Sequence, residues 1–257
     1  MKNFITFLMR YVPRPWLIRL SYLFNKIWPL ILKGDKVYCP ICESKFRTFL
    51  PYGTVKRRDN VLCPRCLSLE RHRLLWLFLH DKTNFFSQEI KLLHVAPEQC
   101  FYHRFKKLPN VKSTTADLES PLAEVKMDIH QMPFGDNLFD VVLCNHVLEH
   151  VENDAVAKKE IYRVLKPGAW AVMQVPLDDS NPKTYEDASI ISPEDREIHF
   201  WQKDHVRLYG LDYPDRLKAA GFLVEPVVIW DEMSEEKREK YRLMPGEIIF
   251  WCKKPVV

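Results

Sequence analysis

Apolar and polar positions alternate in blocks from residue 90 to residue 253. Short apolar runs of strand length are separated by longer runs in which apolar residues recur at helical spacing. Strands joined by helical crossovers indicate a parallel sheet with helices on both faces, so the pattern predicts an α/β fold with a doubly wound, seven-stranded sheet. The predicted strands are Ile90–Ala96, Val111–Ala116, Lys126–Asp128, Phe139–Cys144, Ala169–Val175, Phe222–Trp230 and Glu247–Lys253, and the predicted helices are Gln99–Lys107, Asn153–Leu165 and Tyr213–Ala220.

The first 33 residues show a different pattern. Aromatic and aliphatic residues are mixed with six Lys or Arg and no acid, and Pro13, Pro15 and Pro29 interrupt the apolar runs. No run reaches the roughly 18–20 apolar residues of a spanning helix, and no small-residue cleavage site indicates a secretory signal. An amphipathic segment at a membrane interface fits this mixture. Helices packed against the protein's own core or against a partner fit it equally.

Charge is distributed unevenly along the 257 residues. Residues 1–73 hold 15 Lys or Arg and 4 Asp or Glu, a balance of +11, whereas the whole chain carries +4. A basic N-terminal part indicates contact with an anionic partner, either lipid headgroups or nucleic acid. A solvated surface beside a negatively charged thiolate cluster is the alternative.

Two matched cysteine pairs lie in this basic part. Cys39 and Cys42, followed by Cys63 and Cys66, form a C-x2-C-x20-C-x2-C pattern with a C-P-x-C sequence in each pair. This spacing is typical of a zinc ribbon, in which four thiolates complete a tetrahedral and therefore structural site. A helix predicted over Ser68–His80 would dock the ribbon onto the following region. The three other cysteines are scattered, which favours a reducing, cytoplasmic location.

Four segments carry a resemblance to a known family. Phe139–Val151 contains V-L-E-H-V, and Glu160–Gly168 reads E-I-Y-R-V-L-K-P-G. Both resemble the class I S-adenosylmethionine-dependent methyltransferases of the V-L-E-H-V type. The loop His94–Glu98 and the D-H-V-R-L-Y-G segment Asp204–Gly210 are similar to a bacterial subgroup with an N-terminal zinc ribbon. The resemblance implies a Rossmann-like fold with three parts, namely a basic amphipathic segment (1–35), a zinc ribbon with its docking helix (36–85) and a methyltransferase domain (86–257).

The resemblance also implies where S-adenosylmethionine binds. In this fold the cofactor lies across the carboxyl ends of the strands. Asp117 is expected at the ribose hydroxyls, Asp128 with Ile129 at the adenine, and Asn145 under the methionine part. For each acid, a helix cap or a loop charge on the surface is the alternative.

The first loop departs from the family pattern. That loop is normally rich in glycine so that backbone approaches the cofactor, yet all seven glycines of this chain lie elsewhere. Ala96 and Pro97 are expected to form the close turn instead, with Glu98 at the cofactor's amino group. The alternative is a degenerate site that no longer binds the cofactor.

Three residues after the fourth strand are predicted to lie where the methyl group emerges. They are His146, Glu149 and His150, and His205 joins them as a catalytic candidate. A histidine at this place suits a general base, or it bridges loop carbonyls instead. Related quinone O-methyltransferases bind a divalent cation through acids of this loop, but His146 replaces one of those acids. We therefore predict no second metal from the loop sequence.

The connection formed by residues 176–210 is long and polar, as functional insertions often are. It is predicted to cover the active site, with Tyr185, Arg196 and Arg207 as contacts to a polar or anionic acceptor.

Three functions remain open on the sequence alone. The first is methylation of a small-molecule or saccharide-like acceptor, with presentation near a membrane as one option. The second is methylation of RNA. Some rRNA methyltransferases also have a zinc ribbon before this fold, and the basic N-terminal part could bind RNA phosphates. The third is a non-catalytic, zinc-dependent interaction protein built on a lapsed methyltransferase. No oligomeric state is predicted.

Overall fold

A computed structural model describes residues 14–53 and 57–256, without the side chains of residues 14, 15 and 17–23. The start of the predicted amphipathic segment therefore lies outside the described residues. The chain divides into two compact units. The first unit comprises the chain up to Thr83 together with Gln99–Phe101 and Ile229–Glu247, and the second comprises Asn84–Glu98, Tyr102–Val228 and the residues from Ile248 onward.

The first unit contains the predicted zinc-ribbon region. Its elements are α1 (Arg14–Ile31), β1 (Lys33–Cys39), β2 (Ser44–Phe46), β3 (Leu50–Tyr52), β4 (Arg58–Leu62), α2 (Glu70–Lys82), a 3-10 turn (Ile229–Glu232) and α7 (Glu235–Lys240). Strands β1 and β2 form one antiparallel pair, and β3 and β4 form a second. None of the described helices of the chain is long and apolar enough to cross a membrane.

A buried arginine organises the core of the first unit. Arg73 is fully buried, and its guanidinium donates to the carbonyls of Val61 and Ser68 at 3.0 and 2.9 Å. It also donates to the carbonyls of Tyr241 and Arg242 at 2.6 and 2.8 Å. Hydrogen bonds from a charged donor contribute about 1.5–3 kcal/mol each. Residues 229–247 thus pack within the first unit, although the sequence pattern grouped them with residues 86–257.

The second unit is built on the predicted seven-stranded sheet. The strands are β5 (Ile90–Val95), β6 (Val111–Asp117), β7 (Val125–Lys126), β8 (Phe139–Cys144), β9 (Leu165–Val172), β12 (Leu223–Val227) and β13 (Ile249–Lys253). Their order in the sheet is β12-β13-β9-β8-β5-β6-β7, and β13 alone runs antiparallel to its neighbours. The seven-stranded α/β prediction is confirmed.

The order of connections reverses at β5, which pairs with β6 on one side and β8 on the other. Val95 at the end of β5 is in register with Ala116 of β6 and with Cys144 of β8. The residues that follow these three strands therefore share one edge of the sheet. In doubly wound sheets, ligands bind in the crevice at such a reversal.

The remaining elements lie between these strands in the sequence. The helix before β9 ends at Val164 and β9 begins at Leu165, where the Gly168 amide donates to the Lys254 carbonyl at 3.0 Å. The short α5 was not predicted. These elements are α3 (Gln99–Phe105), α4 (Asp154–Val164), β10 (Tyr185–Glu186), α5 (Pro193–Phe200), β11 (Arg207–Leu208) and α6 (Tyr213–Lys218).

Candidate functional site

The first loop adopts the backbone conformation that glycine usually provides. Ala96, directly after β5, has φ of 48°, and its amide donates to the Ala116 carbonyl at 2.9 Å. A left-handed conformation costs a residue with a Cβ roughly 1–2 kcal/mol. Alanine, with the smallest such side chain, holds the turn here without glycine.

Glu98 connects the first loop to the end of β8. One of its carboxylate oxygens contacts Nε2 of His94, and the other accepts a hydrogen bond from the side-chain amide of Asn145 at 3.0 Å. Because the carboxylate is an acceptor, the Asn145 nitrogen is the atom that faces it. Oδ1 of Asn145 is then left buried, with no hydrogen-bond partner among the described residues. A ligand group that donates hydrogen bonds, such as an ammonium group, would satisfy this oxygen.

Asp117 ends β6 and closes a tight turn. Its Oδ1 accepts from the backbone amides of Glu119 and Ser120 at 2.8 and 2.5 Å. Within the described residues, Oδ2 has no donor. The residue thus combines the predicted loop role with an oxygen that remains available to ribose hydroxyls. A neighbouring cleft of about 330 Å³ is lined by Asp117, Leu118, Glu119, Ser120, Ala123 and Lys126.

Asp128 and Ile129 follow β7, as their proposed adenine contact requires. The backbone amide and the imidazole of His130, at 2.9 and 2.7 Å from Oδ1, hold the pKa of Asp128 below its usual range. Asp128 is exposed and Ile129 is buried. An ionised acceptor beside an apolar side chain suits the edge and the face of a purine.

His146 and Glu149 interact directly after β8. His146 has φ of 54°, and its amide donates to the Gln174 carbonyl at 2.7 Å. Its Nδ1 lies 3.3 Å from Oε1 of Glu149, a residue that is 1% exposed. Nε2 of His146 and Oε2 of Glu149 are both buried, and neither has a hydrogen-bond partner in the part of the chain that the structure describes.

His150 and His205 meet although they are distant in sequence. Their ring centroids are 4.7 Å apart with an interplanar angle of 83°. His205 is buried, which lowers its pKa, and its Nδ1 lies 2.8 Å from the Phe200 carbonyl. Nδ1 of His150 lies 3.3 Å from the carboxylate of Asp204. The four predicted catalytic residues are thus brought together, and Asp204 was missed although the D-H-V-R motif contains it.

Arg207, predicted to contact substrate, is buried and faces the protein instead. Its guanidinium donates to the carbonyls of Leu148, Val151 and Glu152 and to the carboxylate of Glu186. Every carbonyl in this set belongs to the loop that carries Glu149 and His150. Arg207 therefore supports the loop, while a direct contact with substrate remains only a prediction.

The other two predicted acceptor contacts lie in the segment formed by residues 176–210. Tyr185 is exposed, and its hydroxyl is 3.3 Å from Nδ1 of His199. Arg196 is half-buried and donates to the Ile190 carbonyl at 3.3 Å. A Cβ at Gly210 would lie 2.5 Å from the Lys183 backbone, so the end of this segment requires glycine.

The four predicted metal ligands form one cluster in the first unit. The Sγ atoms of Cys39 and Cys66 are 3.6 Å apart, as are those of Cys42 and Cys63, and all four lie within 4.8 Å of one another. A tetrahedron with Zn–S bonds of about 2.3 Å has sulfur atoms about 3.8 Å apart. The four thiolates therefore fit a structural zinc ion, as the spacing predicts.

Comparison with known proteins gives a family match inside the second unit. A family model described as a methyltransferase domain matches residues 103–173. Cycloartenol-C-24-methyltransferase 1 of Oryza sativa subsp. japonica is 50% identical over 118 residues, which are 42% of this chain and 30% of that protein. Demethylmenaquinone methyltransferase of Staphylococcus aureus is 42% identical over 71 residues, 28% of either protein. The chain spans less than a third of the length of the curated relatives it matches.

A solved structure shows a similar arrangement at low sequence identity. It is the 1,6-didemethyltoxoflavin-N1-methyltransferase of Burkholderia thailandensis with bound 1,6-didemethyltoxoflavin and S-adenosylhomocysteine. The two chains are 14% identical with a TM-score of 0.47, over 72% of this chain and 78% of that one. Together with the V-L-E-H-V segment and the seven-stranded sheet, the family match shows that residues 103–173 belong to a methyltransferase domain of the class I S-adenosylmethionine-dependent type.

Proposed function

We propose that the protein transfers a methyl group from S-adenosylmethionine to a small-molecule acceptor, which we take to be saccharide-like. The observation that carries the proposal is the alignment of Ala96, Asp117 and Asn145 at the carboxyl ends of three adjacent parallel strands. The carboxyl ends of such strands are where this class of fold binds its ligands. The chain therefore places a close backbone turn, a carboxylate and a buried amide oxygen at one edge.

Each of these groups has a proposed role toward the cofactor. Oδ2 of Asp117 accepts from the ribose hydroxyls, while Oδ1 keeps the loop closed. Oδ1 of Asn145 and the Glu98 carboxylate accept from the ammonium group of the methionine part. Asp128 accepts from the adenine amino group, and Ile129 packs against the ring.

The bound cofactor supplies an electrophilic methyl group, so the protein has to orient the acceptor and remove its proton. His146 suits proton removal from a hydroxyl. Its Nδ1 faces Oε1 of Glu149, so the neutral ring carries its proton there and has its lone pair on Nε2. No described residue forms a hydrogen bond with that buried Nε2, so we assign proton removal to it.

The names of the curated relatives support a small-molecule acceptor. The curated relatives include a sterol and a menaquinone methyltransferase, both of which act on small molecules. We assign acceptor recognition to Tyr185, which is exposed, and to Arg196 in the segment above the sheet edge. Arg207 contributes by holding the loop of Glu149 and His150.

The test uses the full-length protein with S-adenosylmethionine labelled in its methyl group. It is incubated with a cell extract that has been separated into small molecules, RNA and lipid. Label that enters the small-molecule fraction supports the proposal, and label in a ribonuclease-sensitive fraction favours RNA methylation instead. A protein that binds neither S-adenosylmethionine nor S-adenosylhomocysteine favours the non-catalytic alternative.

A second proposal concerns where the protein acts. We place it in the cytoplasm with a peripheral membrane contact through α1. The helix exposes a set of large apolar side chains, and the region around it is basic. Exposed Trp and aliphatic residues beside cations are typical of interfacial helices. The exposed apolar residues of α1 are Trp16, Phe24, Ile27, Leu30 and Ile31.

A further inference from the structure

We propose that Glu149, His150 and His205 bind a divalent transition-metal ion, in addition to the zinc of the four cysteines. One potential ligand atom from each residue lies within 4.8 Å of the other two. Glu149 and His205 are each 1% exposed. Two imidazoles and a carboxylate at this spacing are a ligand set that zinc, iron(II), cobalt(II) and manganese(II) accept.

The tautomer of His205 suits this role. A backbone carbonyl only accepts hydrogen bonds, so the Nδ1 that lies 2.8 Å from the Phe200 carbonyl must carry the proton. The lone pair of the neutral ring is then on Nε2. That atom is buried, with no partner among the residues that the structure describes. Metal-binding histidines are commonly held by such a bond from their other ring nitrogen.

Glu149 presents a matching unsatisfied acceptor. Its Oε1 is 3.3 Å from Nδ1 of His146, whereas Oε2 is buried and lacks any donor in the described part of the chain. A buried carboxylate oxygen without a hydrogen-bond partner is unfavourable. A cation between Oε2 of Glu149 and Nε2 of His205 would satisfy both atoms together.

His150 completes the set from the solvent side. Its side chain is 34% exposed, and its Nδ1 lies 3.3 Å from the carboxylate of Asp204, an arrangement that orients the ring and leaves Nε2 for the metal. Metal bonds of about 2.1 Å place ligand atoms about 3.0–3.5 Å apart. Binding therefore requires the three atoms, which lie within 4.8 Å of one another, to move closer together. Three protein ligands leave open positions for water or an acceptor oxygen.

The sequence pattern did not indicate this site because its ligands are far apart along the chain. The loop after β8 supplies only Glu149 and His150, and the expectation of no second metal considered that loop by itself. His205 follows more than fifty residues later and is placed beside them by the segment that ends at β11. The inference rests on the proposed function in one respect, namely that the ion would polarise the acceptor oxygen as a Lewis acid.

The test is a titration of the untagged, metal-free full-length protein with cobalt(II) alone. Cobalt bound by four thiolates gives strong sulfur-to-metal charge-transfer bands, whereas cobalt bound by two imidazoles and a carboxylate gives only weak visible bands. We expect the wild type to bind one ion of each kind. His150→Ala and Glu149→Gln should lose the weak bands and one ion per chain, and should retain the thiolate bands.

The matched control is His103→Ala, which removes an exposed histidine elsewhere in the second unit. It should bind both ions as the wild type does. Equal cobalt content in the wild type, His150→Ala and Glu149→Gln would overturn the metal site. Calorimetry with S-adenosylhomocysteine separates the two proposals. If the protein binds cofactor but no second ion, only the metal-site proposal is overturned. If it binds a second ion but no cofactor, only the proposed function is overturned.

Discussion

The side-chain amide of Asn145 donates to Oε1 of Glu98 over 3.0 Å, which joins the residue after β8 to the loop after β5. If this pair receives the cofactor's ammonium group, Glu98→Gln loses a charge-assisted interaction. We expect affinity for S-adenosylhomocysteine to fall about tenfold, or about 1.4 kcal/mol. Calorimetry with 5'-methylthioadenosine, which lacks the amino-acid part, should show no change. An equal loss for both ligands would contradict the assignment.

Asp117→Asn tests the ribose contact without opening the loop. The asparagine Oδ1 still accepts from the amides of Glu119 and Ser120, but Oδ2 is replaced by a donor. A lost charge-assisted hydrogen bond costs about 1.5–3 kcal/mol, so affinity for both nucleosides should fall by about one to two decades. Glu119→Gln, which removes a charge from the same cleft, serves as the control. Unchanged affinity in Asp117→Asn would rule out the ribose contact, and Asp117 would then serve only to close the turn.

The fold and much of this site could be predicted from the sequence because their signals are local. Alternating apolar blocks predicted the sheet, Ala96 and Asn145 directly follow a strand, and Asp117 ends one. The roles of Arg73 and Arg207 could not be predicted in this way. Their partners are backbone carbonyls, which carry no sequence signal, and in Arg73 they lie as far away as Arg242. The contact between His150 and His205 could not be predicted either, because the two residues are far apart in the sequence.

Cys63→Ser should abolish zinc binding and lower the free energy of unfolding of the first unit by several kcal/mol. The lost thiolate opens the tetrahedral shell, and in such sites the metal-binding energy is part of the folding energy. Cys252→Ser, in β13 of the second unit, replaces an equally buried thiol that is not part of the cluster. Metal analysis should find zinc in Cys252→Ser and none in Cys63→Ser. Full zinc content in both variants would argue against the four-cysteine site.

Asp154→Asn should destabilise the second unit by about 3–5 kcal/mol, because it leaves the buried ammonium of Lys158 without a counter-charge. Burial acts to raise the pKa of Asp154, but Lys158, Tyr209 and Arg216 outweigh it and hold that pKa below its usual value. The ionised form therefore stabilises the fold above about pH 4 and loses that effect as the pH falls. Urea unfolding should show the difference from wild type shrinking in acid. The exposed Asp136→Asn should change stability by less than about 1 kcal/mol.

The exposed face of α1 is expected to bind anionic vesicles. Leu30→Gln with Ile31→Gln removes two exposed apolar side chains, and it spares Leu32, which is buried and whose carbonyl accepts from the Arg47 amide at 2.9 Å. Vesicle sedimentation should show weaker binding by this variant, because interfacial affinity grows with buried apolar area. Ile198→Gln, at an equally exposed position of the second unit, should bind as the wild type does. Identical binding by all three proteins would rule out the membrane contact through α1.

The hydrogen bonds of Arg73 also have a consequence for synthesis of the chain on the ribosome. Two of its four carbonyl partners belong to Tyr241 and Arg242, which are translated long after the four cysteines have emerged. At roughly 5–20 residues per second, the delay is about ten to thirty seconds. Throughout that time the nascent first unit has its zinc ligands but lacks the segment that completes its core. Its last folding step must therefore wait until residues 241 and 242 have left the ribosome.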